Sequence, residues 1–212
     1  MKRPRILLAD DHKLMAEALQ HMLQSDFDVV GTVSDGRALI KAAAELKPEL
    51  VVVDIGMPLL NGLDAADQLK ALQPKIKIIF LTQNREPRYA VEAFRRKASG
   101  YLLKDSAASE LTTAIHEVLQ GRSYVSPLIA KGMLSHALNP EPRNPGLREL
   151  SPREREVLQL LAEGKSMKEV AAVLDISPRT VEFHKYRMMA RLGVKTNAEL
   201  VQHAIKRGLI IP

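Results

Sequence analysis

The chain of 212 residues contains no cysteine. Disulfides and thiolate metal sites are therefore excluded, which fits a reducing compartment. Aromatic residues are scarce, four Tyr and four Phe without Trp, so an aromatic on an exposed face calls for an explanation. No apolar stretch approaches the roughly 20 residues that span a bilayer. Met1-Lys2-Arg3 is basic, but the apolar stretch after it, Ile6 to Ala9, is too short for a signal peptide and runs into Asp10-Asp11. No long biased run points to disorder, and a hydrophobic fraction of 46% supports buried cores. These absences predict a soluble, cytoplasmic protein with no membrane partner. The length suits two modest domains, since single domains most often hold roughly 100–150 residues.

The net charge is +6, unevenly spread. Residues 1–123 hold 17 Lys and Arg against 16 Asp and Glu, whereas residues 149–212 hold 11 against 8. The basic excess thus lies towards the C-terminus, as expected of a segment that meets a polyanion.

Strand and helix patterns alternate through residues 1–123. Strands are predicted at 5–9, 29–33, 50–53, 76–81 and 100–103, with helices at 13–23, 36–46, 63–72, 87–96 and 108–119. Five such β-α units predict a parallel, doubly wound sheet covered on both faces, of the flavodoxin-like kind. No Gly-x-Gly-x-x-Gly follows the first strand, which counts against a dinucleotide-binding fold.

The apolar run Leu50-Val51-Val52-Val53 reads as a strand buried on both faces. It ends at Asp54, and Gly56 and Pro58 stop it from continuing. Taken alone, Asp54 fits a turn cap as well as a functional acid. Its companions decide, because the first strand ends in Asp10-Asp11, the fourth in Thr82 and the fifth in Lys104. In a parallel sheet these ends share one edge and one crevice. Three carboxylates there require a cation, and oxygen ligands favour a hard one such as Mg²⁺. The lysine and hydroxyl opposite supply a point charge and a hydrogen-bond donor for phosphoryl oxygens.

Leu8-Ala9-Asp10-Asp11-His12, Asp54-Ile55-Gly56-Met57-Pro58 with Gly62, Leu81-Thr82 and Gly100-Tyr101-Leu102-Leu103-Lys104-Asp105 together resemble the receiver domain of bacterial two-component response regulators. The resemblance covers about residues 4–123. It implies that Asp54 accepts a phosphoryl group from a sensor histidine kinase. It further implies Mg²⁺ (or Mn²⁺) held by Asp11, Asp54 and the Gly56 carbonyl, with Asp10 helping directly or through water. Lys104 then pairs with the phosphoryl oxygens, Thr82 bonds to them after transfer, and Tyr101 turns inward as part of the switch. Gln83 departs from the pattern, which more often has a small residue there.

Residues 124–148 are expected to form a linker with a possible short helix over 127–138. Three prolines and a glycine within residues 139–146 cannot be helix or central strand.

The last 64 residues show no strand pattern, but helix starts recur. Ser151-Pro152-Arg153-Glu154, Ser166-Met167-Lys168-Glu169 and Thr196-Asn197-Ala198-Glu199 are capping boxes, and Ser177-Pro178 opens another helix. Gly164 and Gly193 stand where helices should stop. Four helices are predicted at about 152–163, 167–174, 178–192 and 197–207, the middle pair spaced as a helix-turn-helix. In the third, Val181, Met188 and Leu192 share an inward face. The other face presents Arg179, Phe183, Tyr186 and Ala190, flanked by Glu182 and Arg187. With Lys185 and Arg191 on the same helix, entry into a DNA major groove explains the two exposed aromatics.

Leu150-Ser151-Pro152-Arg153-Glu154, Gly164-Lys165-Ser166, Ser177-Pro178-Arg179-Thr180-Val181, His184, Arg191-Leu192-Gly193-Val194 and Gly208-Leu209-Ile210 resemble the DNA-binding domain of LuxR-type transcription factors. The resemblance implies a recognition helix over 178–192, in which Arg179, Thr180, Glu182, Phe183, His184, Lys185, Tyr186 and Arg187 meet double-stranded promoter DNA. It also implies dimerisation through the final helix. Glu182 stands where the family often has a DNA-touching Lys, so it either accepts from a cytosine amino group or avoids phosphates. The whole chain is thus expected to be a phosphorylation-controlled transcriptional regulator of the NarL/FixJ type, homodimeric at least when phosphorylated and not a turnover enzyme. Its domains are receiver 1–123, linker 124–148 and DNA-binding domain 149–212. An aspartyl phosphatase is the weaker reading, because such enzymes place a second acid where Gly56 stands. The other alternative is a constitutive DNA-binding factor whose receiver only dimerises.

Overall fold

The computed structural model describes residues 3–138 and 150–206, and the chain divides into two compact units, residues 1–141 and 142–212. The proline-rich stretch 139–146 and Gly208-Leu209-Ile210 lie outside the described residues. The first unit runs β1 (Arg5–Ala9), α1 (Lys13–Leu23), β2 (Asp28–Val33), α2 (Gly36–Leu46), β3 (Leu50–Asp54), α3 (Gly62–Leu72), β4 (Lys77–Thr82), α4 (Pro87–Arg95), β5 (Gly100–Leu103), α5 (Ala107–Leu119), β6 (Tyr124–Val125) and α6 (Pro127–Leu138). The strands make one parallel sheet in the order β2-β1-β3-β4-β5-β6. Its winding reverses between β1 and β3, so a crevice opens at their carboxyl ends.

β3 is buried along its whole length, as an apolar β-branched run between two helical layers must be. On one face Leu19 and Leu23 of α1 and Leu111, Ile115 and Val118 of α5 pack on Ile6, Leu8, Leu50, Val52 and Ile79. Their alternates Leu7, Val51, Val53, Ile78 and Phe80 point to the opposite face and are equally buried. Burial of each such side chain contributes about 1.5–3 kcal/mol. Asp35 caps α2 by accepting from the Arg37 and Ala38 amides, and Asn61 caps α3 by accepting from Asp64. Each cap is worth about 1 kcal/mol. Gly62 opens α3 hard against β3, where a Cβ would lie 2.2 Å from the Asp54 carbonyl oxygen. At the other end of the layer, Arg96 is nearly buried and binds Asp64 at 2.9 Å and Asp67 at 2.8 Å, tying α4 to α3.

The sheet differs from the five strands expected by a short sixth. Tyr124–Val125 pairs with Gly100 and Tyr101 of β5, and α6 then packs against α4. Residues 124–138, assigned from sequence to the linker, are bonded into the first unit. Ser126, fully buried, donates to Glu110 Oε2 at 2.6 Å and accepts from the Leu103 amide at 3.3 Å. Gly132 lets α6 sit on α4, since a Cβ there would come within 2.4 Å of Pro87 Cγ. A two-residue strand with no apolar alternation leaves little trace in a sequence.

The second unit comprises α7 (Pro152–Ala162), α8 (Met167–Leu174), α9 (Pro178–Leu192) and α10 (Asn197–Lys206). Both the Ser151/Glu154 and Ser166/Glu169 capping boxes are complete. Gly193 ends α9 in the left-handed conformation, with φ 69°. Asp175 adopts φ 51° at the turn between α8 and α9, which a short polar side chain tolerates better than most. The core holds Val157, Leu158, Leu160, Val170, Leu174, Val181, Met188 and Leu200. Leu192, expected inward with Val181 and Met188, is only half-buried, and Met189 is buried instead.

Candidate functional site

Strand register brings the polar strand ends together. Ala9 pairs with Val53, Asp54 with Leu81, and Thr82 with Leu103. Asp10, Asp54, Thr82 and Lys104 therefore line successive strands at one edge, and all four are buried. Lys104 Nζ lies 2.8 Å from Asp54 Oδ2 and 3.0 Å from Asp10 Oδ1. Gly56 N–H donates to Asp54 Oδ1 at 3.3 Å. Asp11 is more exposed, with one oxygen 2.8 Å from His12 Nδ1.

Burial pushes the Asp54 carboxyl above its ordinary range, against the pull of Lys104. Burial opposes the Lys104 charge too, but hydrogen bonds to Asp54 and Asp10 outweigh it and hold that ammonium above its ordinary value. One ligand atom each from Asp10, Asp11, His12 and Asp54 lies within 4.8 Å of the others. Asp10 Oδ2 is buried without an aligned hydrogen bond, although it is 2.9 Å from Lys104 Nζ. Three acids clustered this closely, one with an oxygen that has only the lysine charge beside it, suit a hard cation. His12 was not among the expected ligands, although it directly follows the acidic pair.

The remaining pocket residues form a relay through Asn84. Its amide donates to Thr82 Oγ1 at 3.0 Å, and its carbonyl accepts from the Tyr101 hydroxyl at 3.3 Å. Tyr101 is fully buried, with its ring inward, and burial pushes the phenol well above its ordinary pKa. Gln83 and Gly56 are both exposed at the mouth. A side chain at position 56 would meet Asp54 Oδ2 at 3.9 Å, an ordinary contact, so the turn does not require glycine.

In the second unit α9 presents the expected face. Phe183 and Tyr186 are 60% and 57% exposed, and Arg179, Glu182 and Arg187 are exposed beside them. Thr180, His184 and Lys185 are half-buried. Thr180 Oγ1 lies 2.8 Å from Ser177 Oγ, the His184 ring packs against Phe183, and Lys185 sits over the Tyr186 ring. Arg187 is committed in part elsewhere, its Nε 3.4 Å from the buried Glu154. Sequence marked Glu154 only as a cap; that it also faces α9 depends on how the helices cross.

A parallel sheet with an acid–lysine pocket at its winding reversal, followed by a helix-turn-helix unit, defines a signal receiver joined to a DNA-binding domain. Residues 6–116 match the response regulator receiver domain family, and residues 148–204 match the luxR family of bacterial regulatory proteins. The chain belongs to the transcriptional response regulators of two-component systems. It is 30% identical over 208 residues to the response regulator GacA of Pseudomonas aeruginosa, covering 97% of each chain. It is 34% identical over 214 residues to the oxygen regulatory protein NreC of Staphylococcus aureus, covering 97% of this chain and 99% of that one. Among solved structures, the RcsB response regulator of Salmonella typhimurium matches with a TM-score of 0.60 and 27% identity over 96% of this chain and 98% of that one. An RcsB–DNA complex matches with a TM-score of 0.61 and 26% identity over 95% and 97%.

Proposed function

We propose that Asp54 is the phosphoacceptor and that its phosphorylation by a sensor histidine kinase controls promoter binding by the second unit. The observation that carries this reading is the buried Asp54 carboxylate, 2.8 Å from Lys104 Nζ, at the edge where Asp10 and Asp11 converge. At neutral pH Asp54 needs no general base. One of its carboxylate oxygens attacks the phosphorus of the kinase phosphohistidine, the P–N bond breaks with its electron pair left on the imidazole nitrogen, and an acyl phosphate forms on Asp54. Asp11, Asp54, the Gly56 carbonyl and nearby Asp10 would hold Mg²⁺ (or Mn²⁺), which when bound would offset the repulsion between carboxylate and phosphate. Lys104 exchanges part of its carboxylate bonding for the phosphoryl oxygens. Thr82 accepts from the Asn84 amide and its hydroxyl also bonds the Tyr101 side chain, so turning that hydroxyl to a phosphoryl oxygen gives up the Tyr101 contact. Because Tyr101 bonds the same Asn84, a shift of Thr82 is felt at Tyr101. The protein acts as a stoichiometric switch rather than a turnover catalyst.

The receiver in this reading comprises residues 1–123 with 124–138 as its extension. The second unit binds double-stranded DNA in the cytoplasm through α9, by Arg179, Glu182, Phe183 and Tyr186, with Thr180, His184, Lys185 and Arg187 supporting. The RcsB–DNA complex and the RcsB dimers on DNA support a dimer on paired half-sites. The intact pocket counts against a receiver that serves only to dimerise. Incubation with Mg²⁺ and acetyl phosphate is the test: wild-type protein is expected to gain one acid-labile phosphate by intact mass, and Asp54→Asn none. Labelling that survives Asp54→Asn, or no labelling of wild type, overturns the assignment.

A further inference from the structure

Glu154 is an uncommon residue to find completely enclosed. Its side chain has 0% exposure, and it sits in the first turn of α7. One oxygen, Oε2, accepts from the Ser151 amide at 2.7 Å and closes the capping box. A cap needs no more than that, and it is normally made at the solvent surface. Here the same oxygen also lies 3.2 Å from Arg191 Nη1, and Oε1 lies 3.4 Å from Arg187 Nε. Oε1 has no hydrogen bond among the described residues, so Arg187 is its nearest compensation. Ser151 and the two arginines together hold the Glu154 carboxyl below its ordinary range in spite of burial.

Arg187 and Arg191 are one helical turn apart on α9, and both remain partly open, at 51% and 33% exposure. An unrestrained arginine on a recognition helix reaches any guanine within its length, and also any phosphate. Held towards α7, these two keep their charge near the helix but not the freedom to search base edges. We propose that Glu154 is a positioning residue for DNA recognition: its buried carboxylate anchors Arg187 and Arg191 on the α7 side of α9, where they serve phosphates, and leaves base reading to Arg179, Glu182, Phe183 and Tyr186. Phosphate contacts fix the register in which bases are read, so a single enclosed acid sets sequence discrimination without touching DNA. The inference rests on α9 being the recognition helix.

The test uses the full chain and a duplex selected by the wild-type protein from a random-sequence pool, against a scrambled duplex of the same length. Glu154→Gln keeps the shape and one acceptor for the Ser151 amide while removing the charge. It is expected to fold, and its ratio of selected to scrambled affinity should fall roughly tenfold, about the effect of losing one base pair's readout. Its plot of log affinity against log salt should flatten by about 0.9 for each arginine that leaves its phosphate for a base edge. A merely structural glutamate would lower the melting temperature and move neither quantity, and that result overturns the proposal. If Glu154→Gln does not fold, the double variant Arg187→Ala, Arg191→Ala preserves the cap; it should lose discrimination with a shallower salt slope, and an unchanged ratio overturns the proposal. Arg179→Ala separates the two levels. Weakened binding there with an unaltered Glu154→Gln removes only the role of Glu154, whereas wild-type binding by Arg179→Ala removes the recognition helix and this inference with it.

Discussion

Asp54 is held in a state that costs stability. Its folded pKa is raised from the ordinary 3.8, with burial as the main cause, so the folded chain holds the Asp54 proton more tightly than the unfolded chain does. Stability from this group is full below pH 3.8 and is lost as pH rises through the folded value. At neutral pH the ionised carboxylate therefore favours unfolding. Asp54→Asn, which mimics the protonated form, is expected to raise the melting temperature of the first unit at pH 7, with the difference vanishing at about pH 3. Calorimetry across that range checks it, and a variant that melts lower at neutral pH contradicts the sign. The second unit has the opposite case in Glu154, whose folded pKa is depressed below 4.5. Its contribution is present above pH 4.5 and fades as pH falls through the folded value. One buried acid is held at a cost to the fold, and the other supports it.

Among the elements, β6 and α6 change where the receiver ends. Ser126 links the extension to Leu103, the residue before Lys104, and Ile129 of α6 is buried. Tyr124 and Ser126 both bond Glu110 of α5. Burying one Ile contributes about 1.5–3 kcal/mol, and each buried hydrogen bond about 1 kcal/mol net. A fragment ending at Ser123 is therefore expected to be less stable than one ending at Leu138 by about 2–4 kcal/mol. Urea unfolding of the two fragments measures the difference, and equal midpoints would return residues 124–138 to the linker. α6 also rests on Pro87 through Gly132, which places the extension against the helix that follows Thr82 and Asn84.

For the whole molecule, phosphorylation and DNA binding are two equilibria in one chain, and coupling between them is reciprocal. Typical coupling of about 1–3 kcal/mol corresponds to about 5–150-fold in affinity. Protein phosphorylated with acetyl phosphate is expected to bind its selected duplex within that range more tightly than unphosphorylated protein, while Asp54→Asn shows no response to the phosphodonor. Titration of labelled duplex in Mg²⁺ buffer measures this. Equal affinity in both states would leave the constitutive factor as the better description. Sedimentation of the same samples reports whether the dimer forms with the phosphate.

Alternation of apolar strands with amphipathic helices was enough to predict the parallel sheet, because residues buried between two layers must be apolar at nearly every position. The capping boxes and Gly193 marked the second unit's helices to within a residue or two, since a cap is written in four consecutive side chains. Asp10, Asp11, Asp54, Thr82 and Lys104 were legible as a group because parallel strand ends fall on one edge whatever the loop lengths. Four features were decided by tertiary structure alone. The Asn84 backbone joins Thr82 to Tyr101, β6 extends the sheet, Arg96 ties α3 to α4, and Glu154 faces α9. Each depends on a contact between segments distant in the chain, or on a main-chain atom that every residue possesses. Local sequence determined which elements form and which residues carry charge. Only packing decided which of those charges meet, and so that Asp54 is desolvated at a cost while Glu154 is enclosed and satisfied.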